Sequence, residues 1–387
     1  MYKSLATPTT ARLPRFPALT LYLDGETTPT SFTFARRIGA GSEGDVYKYT
    51  QDDLEAAVKF AKAGAESSLD WEISAMKCLS HPNIVTLVAQ GKVENTPYYV
   101  MPLAKGSLSS FLDDPARIVR LNVLLVIRGI ENALNYLHER DIFHRDVKPE
   151  NVLMYQENGD FSPCLGDFSF ARRRGGSMPA GVIASSPFYR APEISRLLVQ
   201  CYDHWAKTWT ANYPGHNDHN KPKPSRQCEY FWYIFAIFMD ATSIPKLHET
   251  LEGHAASHPS ILTPELRAII SQTATETLEM IDAAGHPHMS PRVDLFGLGC
   301  IAVHFFTGHS NWAAPVVSLG DPHTLTDHGD KTTSLSPYMQ KAYPIMAATT
   351  QGYIDTHPEQ VQANPALLTV INTHFLPGLG AATQDVV

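Results

Sequence analysis

One short stretch, Phe143-His144-Arg145-Asp146-Val147-Lys148-Pro149-Glu150-Asn151, sets an acid, an amine and an amide at fixed spacing behind an apolar segment. Such a loop can hold a carboxylate against a hydroxyl proton, an ammonium against a phosphate and an amide on a metal ion. A second stretch, Gly39-Ala40-Gly41-Ser42-Glu43-Gly44-Asp45-Val46, has glycines that let backbone turn and approach phosphates with no side chain in the way. The same glycine spacing opens dinucleotide-binding folds, but there it leads into a helix; residues 45–50 read as a strand. Lys59, in Ala57-Val58-Lys59, stands thirteen positions after Val46; taken alone it is an ordinary surface lysine on an edge strand.

The elements that must position these residues follow from periodicity. Phe32, Phe34 and Arg36-Arg37-Ile38 read as a strand running into the glycines. Residues 45–50 and 56–60 read as two more, with Gln51-Asp52-Asp53 as their turn. The spacing of Leu69, Ile73, Met76 and Leu79 predicts a helix over 68–79 that carries Glu72 and is broken by His81-Pro82-Asn83. Residues 84–88 and 98–101 read as strands on either side of a polar turn at Glu94-Asn95. Beyond Pro102-Leu103-Ala104 the pattern turns helical. Leu124, Ile127, Ile130, Leu134 and Leu137 give 121–140 a long apolar face leading into the loop at 143–151, and residues 293–307 form a nearly all-apolar helix suited to burial.

Composition narrows the class. A chain of 387 residues, 43% hydrophobic and 18% charged, holds two or three domains or one two-lobed enzyme with an insertion, and is too apolar for wholesale disorder. A net charge of −8 argues against binding nucleic acid through phosphate neutralisation. Five scattered cysteines (Cys78, Cys164, Cys201, Cys228, Cys300) suit reduced thiols. The N-terminus, with Pro8, Pro14 and Pro17, lacks the apolar core of a signal peptide, and the longest apolar run, 230–239, is half a membrane span. The chain reads as soluble and intracellular, cytoplasmic or nuclear, with 1–30 a flexible surface extension.

Taken together, these motifs resemble the serine/threonine branch of the eukaryotic protein kinase family, whose catalytic loop reads H-R-D-x-K-x-x-N and whose glycine loop reads G-x-G-x-x-G-x-V. The resemblance implies an α+β, bilobal fold: a small β-rich N-lobe with one main helix (31–102), a larger, mostly helical C-lobe (103–375) and a tail (376–387). It implies that Asp146 accepts the substrate hydroxyl proton, Lys148 neutralises the phosphoryl group, and Asn151 and Asp167 bind magnesium. Lys59 would hold the α- and β-phosphates and pair with Glu72, preferred over Glu66 for its spacing to His81-Pro82. ATP would further meet Ile38, Gly39, Ala40, Gly41, Ser42, Glu43, Gly44, Val46, Ala57, Leu153, the gatekeeper Met101, and a hinge at Pro102 and Ala104. Pro102 lacks an N–H, but only its carbonyl is needed there.

Leu165-Gly166-Asp167-Phe168-Ser169 stands where the family has D-F-G; Ser169 narrows the backbone freedom of the glycine it replaces. Ser185-Ser186-Pro187-Phe188-Tyr189-Arg190-Ala191-Pro192-Glu193 resembles G-T-P-x-Y-x-A-P-E, keeping in Ser186 a hydroxyl for the neighbourhood of Asp146. Arg145 would meet an anion from the activation segment, and Arg172-Arg173-Arg174 is either a solvated face or a phosphate site. With no hydroxyl residue between 178 and 184, Ser177 is the candidate for activating phosphorylation.

Two departures stand out. Asp294-Leu295-Phe296-Gly297-Leu298-Gly299 resembles D-x-W-S-x-G, in which Asp294 would tie down the catalytic loop, but residues 199–287 intervene before it. This insertion reads as a helical subdomain, with its aromatic run as core, a helix over 261–280 starting near Pro264, and a partner surface. Its Cys201, His204, His216, His219 and Cys228 match no compact zinc finger and read as a fortuitous cluster. No arginine follows Arg292, so Glu193 must use another cation, Lys331 or Lys341, or do without. The expected function is transfer of the γ-phosphoryl of Mg-ATP to protein Ser/Thr hydroxyls. The alternative is a nucleotide-binding pseudokinase or scaffold acting through the insertion. A small-molecule kinase of the same fold is disfavoured by Lys148 and Ala191-Pro192-Glu193.

Overall fold

Alternating apolar residues in the first hundred positions build one antiparallel sheet in the computed structural model, which describes residues 16–21, 30–41, 43–157, 159–174, 186, 189–213, 226–240, 244–286, 289–308 and 335–383. Contacts divide the chain into two units, Met1–Lys105 with Asp167–Ser169, and Gly106–Gly166 with Phe170–Val387.

The first unit holds β1 (Ala18–Leu21), β2 (Thr30–Ala40), β3 (Gly44–Gln51), β4 (Leu54–Ala61), α1 (Glu66–Met76), β5 (Ala89–Val93) and β6 (Thr96–Pro102), in the sheet order β1-β2-β3-β4-β6-β5. One face buries Phe32, Tyr49, Val58, Phe60, Tyr98 and Val100. The expected surface extension is corrected at its end: Phe16 and Leu19 belong to this core, β1 pairs antiparallel with β2, and the Tyr49 hydroxyl donates to the Phe16 carbonyl at 2.6 Å. A four-residue edge strand behind Pro14 and Pro17 is too short to show an alternation of its own. The strand expected over 84–88 is also displaced. Ile84 and Val85 are buried in a connection, while β5 is the polar edge segment Ala-Gln-Gly-Lys-Val, whose pairing no apolar pattern announces. Its turn is as read: Glu94 and Asn95 both have positive φ (48° and 68°), the geometry of a two-residue hairpin. Helix α1 starts at Glu66, two residues before expected, and ends at Met76, three residues short.

The second unit begins with α2 (Leu108–Leu112), α3 (Pro115–Ile118) and α4 (Val123–His138). Asn122 caps α4, accepting from the Leu125 amide. Its buried face carries Ile127, Ile130, Leu134 and Leu137, but Leu124, in the first turn, is 37% exposed rather than on that face. Two short sheets follow, β7 (Ile142–Phe143) with β10 (Arg172–Arg173) and β8 (Val152–Glu157) with β9 (Asp160–Leu165).

Helix α5 (Pro192–Asn212) runs without a break into residues 199–287, expected as an insertion, where α6 (Arg226–Asp240), α7 (Ile244–Ser257) and α8 (Pro264–Ala283) follow. Phe231, Ile234, Phe235 and Phe238 of α6 are buried at helical spacing against Trp205 and Trp209 of α5, and the Trp205 indole donates to Thr277 Oγ1 of α8 at 2.9 Å. The helix expected over 261–280 begins with Pro264 in its first turn behind the Thr263 cap. Next come α9 (Pro291–Thr307), α10 (Leu335–Thr356), α11 (Pro358–Ala363), α12 (Pro365–Val370), a π turn (Ile371–Phe375) and α13 (Leu376–Thr383). Among the described residues no helix is long and apolar enough to cross a membrane.

Helix α9 approaches the loop at 143–151 closely because Gly297 has no side chain: a Cβ there would lie 2.5 Å from the Val147 carbonyl oxygen and 2.8 Å from the Val147 Cβ. Gly297→Ala therefore forces helix and loop apart, and thermal unfolding is expected to show a loss of about 1–3 kcal/mol.

Candidate functional site

In the first unit the glycine stretch is a hairpin: Gly39 pairs with Val46 and Ala40 with Asp45, and the Gly41 amide donates to the Gly44 carbonyl at 2.8 Å. Ile38 lies on the same strand; Glu43 lies in the turn, and Ser42 lies outside the described residues. Gly44 is required here, since a Cβ would sit 2.7 Å from the Phe60 carbonyl oxygen. Across the sheet Val46 pairs with Lys59, Ala57 with Met101, and Ala56 with Pro102. Ala57 and Met101 are buried, Pro102 is exposed, and Ala104 is half-buried just after the strand.

Lys59 Nζ lies 2.8 Å from Glu72 Oε2 and 3.1 Å from Asp167 Oδ1. Glu66, the rival acid, instead accepts from the Gly64 amide at 2.9 Å at the start of α1. The second oxygen of Glu72 is also taken: the Tyr99 hydroxyl donates to Oε1 at 3.0 Å and the Phe168 amide at 3.2 Å. Tyr99 is the residue that sequence reading missed; its only signal was a phenol on an inward-facing strand position. Burial pushes the Glu72 carboxyl up to about 7 against the pull of the Lys59 ammonium. Lys59, despite the cost of its own burial, is held above its ordinary value by Tyr99, Glu72 and Asp167. Asp167 adopts a left-handed backbone, φ 59°, sparsely used by residues with a Cβ.

In the second unit Asp146 is buried and accepts three hydrogen bonds. Lys148 Nζ (2.7 Å) and Asn151 Nδ2 (2.9 Å) donate to Oδ2, and the Ser186 amide (2.9 Å) to Oδ1. Lys148 also donates to Ser186 Oγ at 2.6 Å. Leu153 lies on β8 opposite Cys164. Beneath them Asp294 of α9 accepts from the His144 amide (3.0 Å), the Arg145 amide (2.6 Å) and stands 2.8 Å from His138 Nε2. This clamp holds Arg145 at φ 70°. Burial, then the charge of Arg172, lowers the Arg145 guanidinium to about 9, with Asp294 opposing.

The remaining candidates separate. Ser177 and the rest of 175–185 lie outside the described residues, and Arg172 of the basic triplet is buried rather than solvated. Burial raises the Glu193 carboxyl, with Arg292 and Arg196 the cations that act on it. Lys331 and the side chain of Lys341, the cations expected for it, lie outside the described residues. Cys201 and Cys228 are buried, and burial pushes the Cys201 thiol up to about 12; His204 lies 3.1 Å from Glu276. His216 and His219 lie outside the described residues, among which no group of three or more His, Cys, Asp or Glu side chains is placed to hold a metal.

Residues 32–211 match the family described as protein kinase domain. Serine/threonine-protein kinase ULK1 of Homo sapiens is 33% identical over 202 residues, 48% of this chain and 19% of that protein. Serine/threonine-protein kinase 36 of Pongo abelii is 28% identical over 367 residues, 90% of this chain and 26% of that protein. Calcium-dependent protein kinase 3 of Plasmodium yoelii yoelii is 32% identical over 181 residues, 45% of this chain and 33% of that protein. The chain thus spans between 19% and 33% of the length of these relatives.

The raised Glu72 carboxyl carries a pH signature. A group that binds its proton more tightly when folded gives stability that is complete below its unfolded value and is lost as pH rises through its folded value. The wild-type protein is expected to lose stability relative to Glu72→Gln between pH 4.5 and about 7, with the gap constant above that window, as read from melting temperatures across the range.

Proposed function

We propose that this chain, whose residues 32–211 match the family described as protein kinase domain, transfers the γ-phosphoryl group of magnesium-bound ATP to serine or threonine hydroxyls of a protein. The observation that carries this reading is the buried Asp146 with Lys148, Asn151 and Ser186 hydrogen-bonded around it. A scaffold would need none of these groups. Asp146, held by three donors, is an acceptor aimed by its neighbours, suited to take the proton of the attacking hydroxyl. Lys148 bridges Asp146 and Ser186, which sets its positive charge where the transferred group becomes most negative.

In the first unit we assign Lys59, fixed by Glu72, to the α- and β-phosphates, and the hairpin residues 38–46 to the phosphate chain. Ala57, Met101, Pro102, Ala104 and, from the second unit, Leu153 are assigned to the adenine. Asn151 commits its amide nitrogen to Asp146, by its bonds to the carbonyl and to Oδ2, and so turns a hard carbonyl oxygen to a cation; Asp167 offers a carboxylate, 37% exposed. Both suit magnesium, which when bound supplies charge neutralisation along the phosphates. We take 31–102 as the N-lobe and 103–375 as the C-lobe, with 199–287 inserted and open to a protein partner. The five cysteines are free thiols, which fits a cytoplasmic or nuclear setting.

The test is phosphoryl transfer from Mg-ATP, to itself and to Ser/Thr peptides, by wild type beside Asp146→Asn. The substitution is expected to lower kcat by about 10²–10⁴ while ATP still raises the melting temperature. A folded wild type that binds ATP and transfers nothing would leave a nucleotide-dependent scaffold in its place.

A further inference from the structure

The segment from Ser186 to Glu193 touches Asp146 at one end, through the Ser186 amide and the Lys148–Ser186 bond. The Tyr189 amide donates to the Ser186 carbonyl at 3.0 Å just before α5. Something must hold its far end, and Glu193 is poorly placed to do so. Its carboxylate lines a cavity of about 530 Å³ together with Arg196, Arg292, Phe296 and His374, and among the described residues no cation stands within ion-pair distance of it.

The far end is held by Tyr343, one of the most completely buried large side chains, reaching in from α10 some 150 positions later in the chain. Its hydroxyl donates to the Arg190 carbonyl at 2.9 Å and lies 2.7 Å from Ser195 Oγ on α5. A phenol has one proton, so with that proton on the Arg190 carbonyl, Ser195 is the donor of the second bond. Burial raises the Tyr343 phenol well beyond its ordinary value, so it remains a donor throughout the working pH range. The ring also packs edge-on against Phe296 of α9, the helix whose Asp294 holds the catalytic loop.

We propose that Tyr343 is a positioning residue for the acceptor substrate: its hydroxyl pins the Arg190 carbonyl and thereby fixes the 186–191 segment beside Asp146. The role rests on the kinase reading above, and it predicts a particular division of effects. The tether holds the 186–191 segment and touches none of the residues assigned to the nucleotide, so its loss acts on the acceptor and spares the nucleotide.

The experiment compares wild type, Tyr343→Phe and Ser195→Ala in peptide phosphorylation, with amide hydrogen exchange over 186–191 measured on the same proteins. Tyr343→Phe is expected to raise the peptide KM about five- to tenfold, leave the KM for ATP unchanged, and speed exchange over 186–191. Ser195→Ala keeps the bond to Arg190 and is expected to stay within about twofold of wild type on each count. Equal peptide KM and exchange in wild type and Tyr343→Phe overturns the proposal, as does an equal rise in both Michaelis constants, which marks a general loss of structure. Should Tyr343→Phe fail to fold, an effect of Ser195→Ala on exchange at 186–191 as large as the one expected for Tyr343→Phe also overturns it, and an unchanged pattern there supports it. If wild type transfers no phosphoryl group but exchange rises in Tyr343→Phe, the tether stands and the kinase reading falls.

Discussion

The buried carboxylate of Asp294 is the interaction on which the second unit turns. A charge fully removed from solvent is tolerable only when donors surround it, and Asp294 has two backbone amides and an imidazole within 3.0 Å. Those same amides belong to His144 and Arg145, so satisfying the charge fixes the loop. Arg145 is thereby held in a left-handed conformation that its Cβ disfavours, and the turn it makes delivers Asp146 to its three donors. The absence of a side chain at Gly297, one turn along the same helix, is what lets the helix come near enough for this clamp to form.

The first unit solves a comparable problem with another acid. Glu72 is wholly buried, and each of its oxygens is occupied: Oε2 by Lys59, Oε1 by Tyr99 and the Phe168 amide. Lys59 arrives there because it pairs with Val46 in the middle of a regular β-hairpin, and Glu72 because α1 turns one face to the sheet. Burial raises the cost of ionising Glu72, and the three donors offset it. Tyr99 thus ties α1 to β6 through a polar contact at a position where an aliphatic side chain would only pack.

The insertion follows the same economy of packing. Residues 199–287, expected as an insertion, do not begin at a linker: α5 starts at Pro192 and carries straight through, so they inherit its direction. Trp205 and Trp209 then bury against the aromatic stripe of α6, which supplies apolar core to this group of helices. Tyr343 ties the start of α5 to α10, and the two helices pack against each other.

The sequence by itself marked the residues of the candidate site. His144 to Asn151, the glycine hairpin, Lys59 and Asp167 were legible because each is a residue type at a short, fixed spacing, and the long helices were legible because an apolar stripe repeats every 3.6 residues. It missed β1 and misplaced β5 because short edge strands pair through backbone and need no apolar alternation. Only the tertiary structure decided which distant groups complete the local ones: Tyr99 on Glu72, Asp294 beneath His144 and Arg145, Arg292 acting on Glu193, and Tyr343 on Arg190. A side chain that acts from another element, 27 to 153 positions away, leaves no periodic mark in the chain, since nothing but the packing of elements brings it within hydrogen-bonding distance.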